Sequence, residues 1–188
     1  MENILGSEDK IPHSFKVFNA ISKDSFGKME TKFLIDYIIR THHDFTKKSA
    51  VLIYVLAQKV FYNHSNVHPE LRTINSIIFL FLHDLLNQMK TEEESLFPRI
   101  RKAANDIKFA ELNDTAILQS LKRERKILQN NHEKAFTYLN ILRQLTYNFD
   151  IPADACYSYQ SLFVKIKELE EDLTIHFHLE DNFLFLNK

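Results

Sequence analysis

Hydrophobic positions recur every three or four residues along most of the chain, which is the spacing of one face of an α-helix. The pattern is clearest from Met29 to Tyr62, a stretch without proline or glycine, and it predicts a long amphipathic helix there. A second helix is predicted to begin just after Pro69, because a first helical turn tolerates proline. The same periodicity predicts that this helix ends near Pro98 or a few residues past it.

Two further helices are predicted in the second half of the chain. Asn113 and Asp114 can cap a third helix, and its apolar positions continue as far as Leu142. Asp150 together with Pro152 is predicted to start the fourth helix.

The four predicted helices imply one fold class. Helices of roughly 30 to 35 residues are about 45 to 50 Å long, and short connections between them favour antiparallel neighbours. The expected fold is therefore all-α, an up-down-up-down four-helix bundle. Residues 1–28 are expected to form an N-terminal extension, and residues 29–188 are expected to form the bundle.

Composition narrows the classes of function. The 188 residues suit one domain, and 24 Lys and Arg against 25 Asp and Glu give no basic excess, so nucleic acid is not an expected partner. No apolar run is long enough to span a bilayer, so no membrane association is expected. Two glycines leave no glycine-rich phosphate loop.

The single cysteine, Cys156, allows neither an internal disulfide nor a site built from several thiolates. The polar, acidic N-terminus does not resemble a secretory signal, so the expected location is cytoplasmic. Cys156 lies near the predicted start of the fourth helix, and we expect it to be a buried packing residue with no neighbouring base.

Polar side chains interrupt all four apolar faces. They are His42 on the first helix, Gln88 and Glu92 on the second, His132 on the third, and His176 and Glu180 on the fourth. An ionised carboxylate in a bundle core costs several kcal/mol unless it is paired or binds metal. Arg125 is the one cation predicted on an inward face, and it cannot balance two glutamates.

A divalent metal balances these charges better, because imidazoles and carboxylates together suit iron, manganese or zinc. The alternative is that each polar residue is an ordinary hydrogen-bonded core residue. His176 and Glu180 are four positions apart, so they can reach one centre. Gln88 and Glu92 repeat that spacing. Two metals about 3.5 to 4 Å apart could share Glu92 and Glu180 as bridges.

The order of the residues distinguishes two kinds of di-iron bundle. Ferritin-like bundles use Glu-x-x-His, and no glutamate precedes a histidine by three residues in this sequence. The order found here, histidine and then glutamate four residues later, is that of hemerythrin-like bundles.

Several sequence blocks resemble those of one known family, in that family's order. They are RTHHDFTKK, NVHPEL, QMKTEEESLFPRI, NHEKAF before LRQLT, and IPADACYSY before EEDLTIHFHLEDNFLF. From about residue 35 to 188, the chain therefore resembles the repair-of-iron-centres (RIC) family, a hemerythrin-like group of di-iron proteins.

The resemblance implies a set of iron ligands. It implies iron binding by His42, His132 and His176, with Glu92 and Glu180 as bridging carboxylates. Two iron ions joined by an oxo or hydroxo bridge would then be the cofactor.

One position of the family's pattern differs in this chain. The family has histidine where this chain has Gln88, and a glutamine carbonyl is a weaker ligand, so the second iron site should be weakened. His43 lies about 100° around the helix from His42, so we expect it to support a ligand or to face solvent.

The function implied by the resemblance is repair of iron–sulfur clusters damaged by oxidative or nitrosative stress, by iron donation. Iron–sulfur proteins would be the clients, and the protein would be a monomer or homodimer. One alternative is a hemerythrin-like module that binds, scavenges or senses O₂ or NO without repair. Another is a degenerate bundle that has lost di-metal binding and acts through protein contacts.

Overall fold

The computed structural model describes residues 26–109 and 115–185, and these ranges contain helices and connectors but no strand. Residues 1–25 of the predicted extension lie outside the described residues. The predicted capping residues Asn113 and Asp114 also lie outside them.

Four long helices make up the described parts of the chain, and three of them contain a π-helical segment. Helix α1 consists of Thr31–Tyr37, the π segment Ile38–His43, and Asp44–His64. Helix α2 consists of Leu71–Thr91, the π segment Glu92–Leu96, and Phe97–Phe109. Helix α3 is Thr115–Leu145, and α4 consists of Tyr157–Leu179 and the π segment Glu180–Leu184.

Side-chain contacts give the direction of each helix. As residue numbers rise along one helix, those of the contacted residues fall along its neighbour. The contacts are Lys47 to Glu93 and Gln58 to Asn75 for α1 and α2, Asp84 to Lys134 and Arg99 to Glu124 for α2 and α3, His132 to Glu180 and Arg143 to Glu170 for α3 and α4, and His43 to His176 and His64 to Cys156 for α4 and α1. Every neighbouring pair is antiparallel, which confirms the all-α up-down-up-down bundle.

The apolar core consists of two clusters at different heights. The larger cluster includes Ile53, Ile78 and Leu169, while the smaller includes Ile35 and Leu179, all at most 1% exposed. Burying each such side chain contributes about 1.5 to 3 kcal/mol to folding. The predicted polar residues lie where the two clusters meet, so apolar side chains pack on both sides of them along each helix.

The fourth helix begins later than predicted. Asp150 and Pro152 lie in the connector, and α4 starts at Tyr157. Residues 147–149 have positive φ angles of 48°, 66° and 60°, which end the preceding helix. Phe149 then turns into the core, where it is 2% exposed. The connector packs against the bundle instead of starting a helix. The turn residues Asp150 and Pro152 therefore gave the wrong position for the start of the fourth helix.

In the described ranges, no helix has a stretch that is both long and apolar enough to cross a membrane.

Candidate metal centre

Each π segment contains one of the polar residues predicted to face inward, namely His42, Glu92 or Glu180. His42 and His43 end the segment of α1, whereas Glu92 and Glu180 begin the segments of α2 and α4. Such local widenings of a helix are frequent at functional sites. In α1, both consecutive histidines are buried, with exposures of 3% and 0%.

Four side chains from three helices converge at one point. The ligand atoms of His43, Glu92, His176 and Glu180 all lie within 4.8 Å of one another, and all four residues are buried. Nε2 of His43 lies 3.1 Å from Nε2 of His176 and 3.4 Å from Oε2 of Glu92. This central group is an N/O donor set of the kind that holds a divalent metal.

Glu180 links the central group to the third helix. Its Oε1 lies 3.2 Å from Nε2 of His176, and its Oε2 lies 3.0 Å from Nε2 of His132. His132 is therefore adjacent to the central group through the second oxygen of the same carboxylate.

His42 lies beside the central group and not within it. Its ring stacks on that of His176, with centroids 5.5 Å apart and an interplanar angle of 7°. Its Nδ1 lies 2.9 Å from a carboxylate oxygen of Asp172, and its Nε2 is buried without a hydrogen-bond partner.

Three of the histidines share the same outer contact, a carboxylate at Nδ1. The pairs are His42 with Asp172 at 2.9 Å, His43 with Glu93 at 2.7 Å, and His132 with Asp181 at 3.2 Å. An Nδ1–H that donates to a carboxylate selects the tautomer whose Nε2 carries the lone pair. All three imidazoles are thereby oriented to use Nε2 as a ligand atom.

Gln88 contacts the centre through Glu92. Its Nε2 donates a hydrogen bond of 2.8 Å to Oε1 of Glu92. The carboxylate is therefore held by one oxygen, and its Oε2 is left directed at His43.

Neighbouring charges shift the pKa values of the residues in the centre. Burial lowers the pKa of His43, but the carboxylates of Glu180 and Glu92 outweigh it and raise the pKa to about 10. Burial also lowers the pKa of His132, whereas Asp181 and Glu180 raise it to about 9. For Glu180, burial raises the pKa, but the neighbouring imidazoles hold the pKa well below its usual range.

The donor atoms fit a metal ion. Buried nitrogen and oxygen atoms normally have a hydrogen-bond partner. Four atoms here have none, namely Nε2 of His42, Oε2 of Glu92, Oε1 of Glu180 and Nδ1 of His176. A cation in the central group would satisfy Oε2 of Glu92 and Oε1 of Glu180, to which the protein offers imidazole nitrogens at 3.4 and 3.2 Å as ion-pair contacts only.

Two predictions for residues near the central group need correction. Arg125 does not face the core, because its side chain is exposed and donates to the backbone carbonyl of Asp181. His43 does not face solvent; it is fully buried in the central group. A regular helix separates adjacent side chains by about 100°, so periodicity alone could not place both histidines inside. Asp172 could have been predicted near the site, because it precedes His176 by four residues and so lies on the same face of α4.

A second pair of histidines, His64 and His68, lies at the end of the bundle where α1 ends and α4 begins. Cys156 is exposed, contrary to the prediction of buried packing, and Nε2 of His64 lies 3.1 Å from its Sγ. His68 contacts Asp154 and Glu70 at 3.0 Å. In the described parts of the chain, these residues do not converge as the central group does.

Comparison with known proteins identifies relatives of the chain. It is 30% identical over 157 residues to the iron–sulfur cluster repair protein YtfE of Musicola paradisiaca, a match covering 81% of this chain and 63% of that protein. It is 26% identical over 152 residues to ScdA of Staphylococcus epidermidis, also named an iron–sulfur cluster repair protein, covering 81% and 64%. DnrN of Neisseria gonorrhoeae, which carries the same description, is 28% identical over 151 residues, covering 80% and 87%.

The chain spans less than two thirds of the length of the first two relatives. No protein-family model matches it. All three relatives are nevertheless named iron–sulfur cluster repair proteins, and each match covers about four fifths of this chain. The chain is thus homologous to the iron–sulfur cluster repair proteins, which confirms its resemblance to the repair-of-iron-centres family.

Proposed function

We propose that the protein holds iron in the bundle core and donates it to iron–sulfur proteins whose clusters have been damaged by oxidative or nitrosative stress. The observation that carries this proposal is the buried central group, whose carboxylates and imidazoles lack partners for several ligand atoms. The names of the relatives support iron as the metal and cluster repair as the activity.

The proposed ligands extend the central group on both sides. They are His42, His43, His132 and His176, with Glu92 and Glu180 as bridging carboxylates. The two oxygens of Glu180 face different histidines, which supports a bridging role between two iron ions. When bound, the iron pair would supply redox chemistry and an exchangeable metal, and O₂ or NO are the small ligands expected to reach it.

The surrounding residues would keep iron bound in the site and still allow it to be released. Asp172, Glu93 and Asp181 orient three imidazoles through Nδ1, and such outer contacts typically raise metal affinity by 10- to 100-fold. Gln88 supplies an amide in place of an imidazole, so one side of the site lacks a strong nitrogen donor. Weaker binding on that side suits a protein that releases iron.

We place this activity in the cytoplasm, where thiols stay reduced. The single cysteine of the chain supports that compartment, because it cannot form an internal disulfide.

Transfer of iron to a damaged client is the direct test. The protein, loaded anaerobically with Fe²⁺, is mixed with an iron–sulfur dehydratase whose cluster has been damaged by nitric oxide. We expect dehydratase activity to return together with loss of iron from the donor. His176→Ala should abolish the recovery, because it removes an imidazole from the central group.

The matched control is His178→Ala, two residues further along the same helix and outside the central group. This variant should repair the client as the unchanged protein does. A stable, reversible O₂ or NO adduct without iron transfer would instead favour the binding or sensing module. Less than one equivalent of bound metal would favour the degenerate bundle.

A further inference from the structure

Exposed cations gather on α2 and α3 near the end of the bundle where α2 ends and α3 begins. Arg99 pairs with Glu124 across the contact between these helices, and 55% of its side chain is exposed. Because the two helices are antiparallel, the next turn of α2 lies level with the turns of α3 around Glu124. Those turns carry further exposed cations. We call the set the basic patch, and its members are Arg99, Lys102, Lys122, Arg123 and Lys126.

Most of the charge of the basic patch is not paired within the protein. Among the side chains that the structure describes, Arg99 is the one member with an ion pair. Lys122 and Lys126 are four residues apart, so their like charges repel on one helix face and disfavour the helix. The whole chain has a formal net charge of −1, so the rest of its surface is acidic on balance. The positive charge of the patch is therefore available to a partner.

The surroundings of the patch favour a protein partner over a nucleic acid. Ile127 is 55% exposed and follows Arg123 by four residues, so an aliphatic side chain lies among the cations. Apolar groups with polar and charged groups around them are typical of protein interfaces. A long polyanion would extend past the patch onto the acidic remainder of the surface, which would repel it. An acidic protein surface of limited size would meet the cations alone.

The basic patch also lies close to the metal centre. His132 follows Lys126 by six residues on α3, which is about 9 Å along the helix axis. Arg125, between the cations of α3, donates a hydrogen bond of 2.9 Å to the backbone carbonyl of Asp181, whose carboxylate contacts Nδ1 of His132. A partner on the patch would therefore be held about two helical turns from a proposed iron ligand.

We propose that the basic patch is the docking surface for an acidic face of the iron–sulfur client protein. The inference rests on the proposed function, because it takes the acceptor of iron as the partner. Opposite charges speed the encounter of two proteins and fix their relative orientation. Docking on the patch places the client beside the helix that carries His132, which shortens the path of the released iron.

Reversal of charge tests the docking surface. The patch variant combines Lys122→Glu with Lys126→Glu. The matched control combines Lys59→Glu with Arg72→Glu, two exposed cations outside the patch whose reversal changes the net charge by the same amount. The probe is an iron–sulfur dehydratase that has an acidic surface and a cluster damaged by nitric oxide.

Association is measured first with the metal-free protein, by stopped-flow fluorescence of the labelled dehydratase at low ionic strength. The association rate constant of the patch variant should fall about tenfold or more, whereas the control should match the unchanged protein. In about 1 M salt the difference should vanish, because the Debye length is then about 3 Å. Transfer of iron to a small ferrous chelator should be equal in all the proteins, since the metal centre is unaltered.

A second patch variant, Lys102→Glu with Arg123→Glu, keeps the test decisive if the first fails to fold, as circular dichroism would reveal. An unchanged association rate in a folded patch variant would overturn the docking surface, and so would an equal loss in the control. Tighter binding of duplex DNA than of the dehydratase would overturn it in favour of a nucleic acid. Self-association that is lost on patch reversal would overturn it in favour of a second copy of the chain.

The result for docking is distinguishable from the result for cluster repair. Association that depends on the patch, without recovery of dehydratase activity, would uphold the docking surface and refute iron donation. Recovery of activity with association that does not depend on the patch would do the reverse. An unchanged protein that does not associate with the dehydratase at low ionic strength would overturn the docking surface.

Discussion

Metal binding should expel protons from the centre, and the number can be worked from the structure. The pKa of His43 is about 10 and that of His132 is about 9, so both imidazoles are protonated at pH 7 in the metal-free protein. Each keeps its Nδ1–H on an outer carboxylate and must lose the proton on Nε2 to coordinate. We therefore expect about two protons to be released per centre filled.

The direction in which the metal affinity changes with pH follows from competition between a proton and the metal for the same nitrogen atom. Apparent affinity should rise with pH by about 100-fold per pH unit between roughly pH 7 and 9, since two protons compete. The rise should flatten as pH passes the two pKa values. Titration calorimetry in buffers of different ionisation enthalpy measures the proton number directly as a slope.

His43→Ala is the informative variant, because it removes one of the two protonated imidazoles. The calorimetric slope, which gives the number of protons released, should fall to about one. His178→Ala should leave the slope at about two. A slope near zero in the unchanged protein would refute the reasoning, because it would mean that the imidazoles are already neutral before metal arrives.

Three further predictions follow from the same contacts. Gln88→His should raise iron stoichiometry or retention in chelator competition, because it supplies the missing imidazole; equal metal content in both proteins would contradict this. The urea midpoint of the metal-free protein should fall as pH rises from about 6.5 to about 10, because folded His132 and His43 hold a proton over that range and the unfolded chain does not; a flat profile would disprove it. Leu169→Ala should cost about 2 to 5 kcal/mol of unfolding free energy, whereas Val164→Ala, 46% exposed, should cost under about 0.5 kcal/mol; similar losses would argue against the assigned core.

The bundle was predictable because its helices are long and strongly periodic. The predicted first helix, Met29 to Tyr62, differs from the observed Thr31–His64 by two residues at each end. The start of the fourth helix was misplaced because burial of Phe149 decides the path of the connector. That burial is a tertiary contact, and local turn preferences do not encode it.

The candidate site was predictable where regular helical spacing holds. Glu92, His176 and Glu180 were found because polar residues on an apolar face are conspicuous. His43 was missed because the π segment of α1 departs from regular spacing. Glu93 does not interrupt an apolar face, yet it contacts Nδ1 of His43 at 2.7 Å, a contact set by how α1 and α2 pack.

Iron binding in the bundle core can be seen directly in a crystal structure of the protein loaded anaerobically with iron, with anomalous scattering recorded at the iron edge. We expect an anomalous peak enclosed by Nε2 of His43 and His176 and by the carboxylates of Glu92 and Glu180. An intact bundle with no peak at that position, or with iron bound only elsewhere, would contradict it.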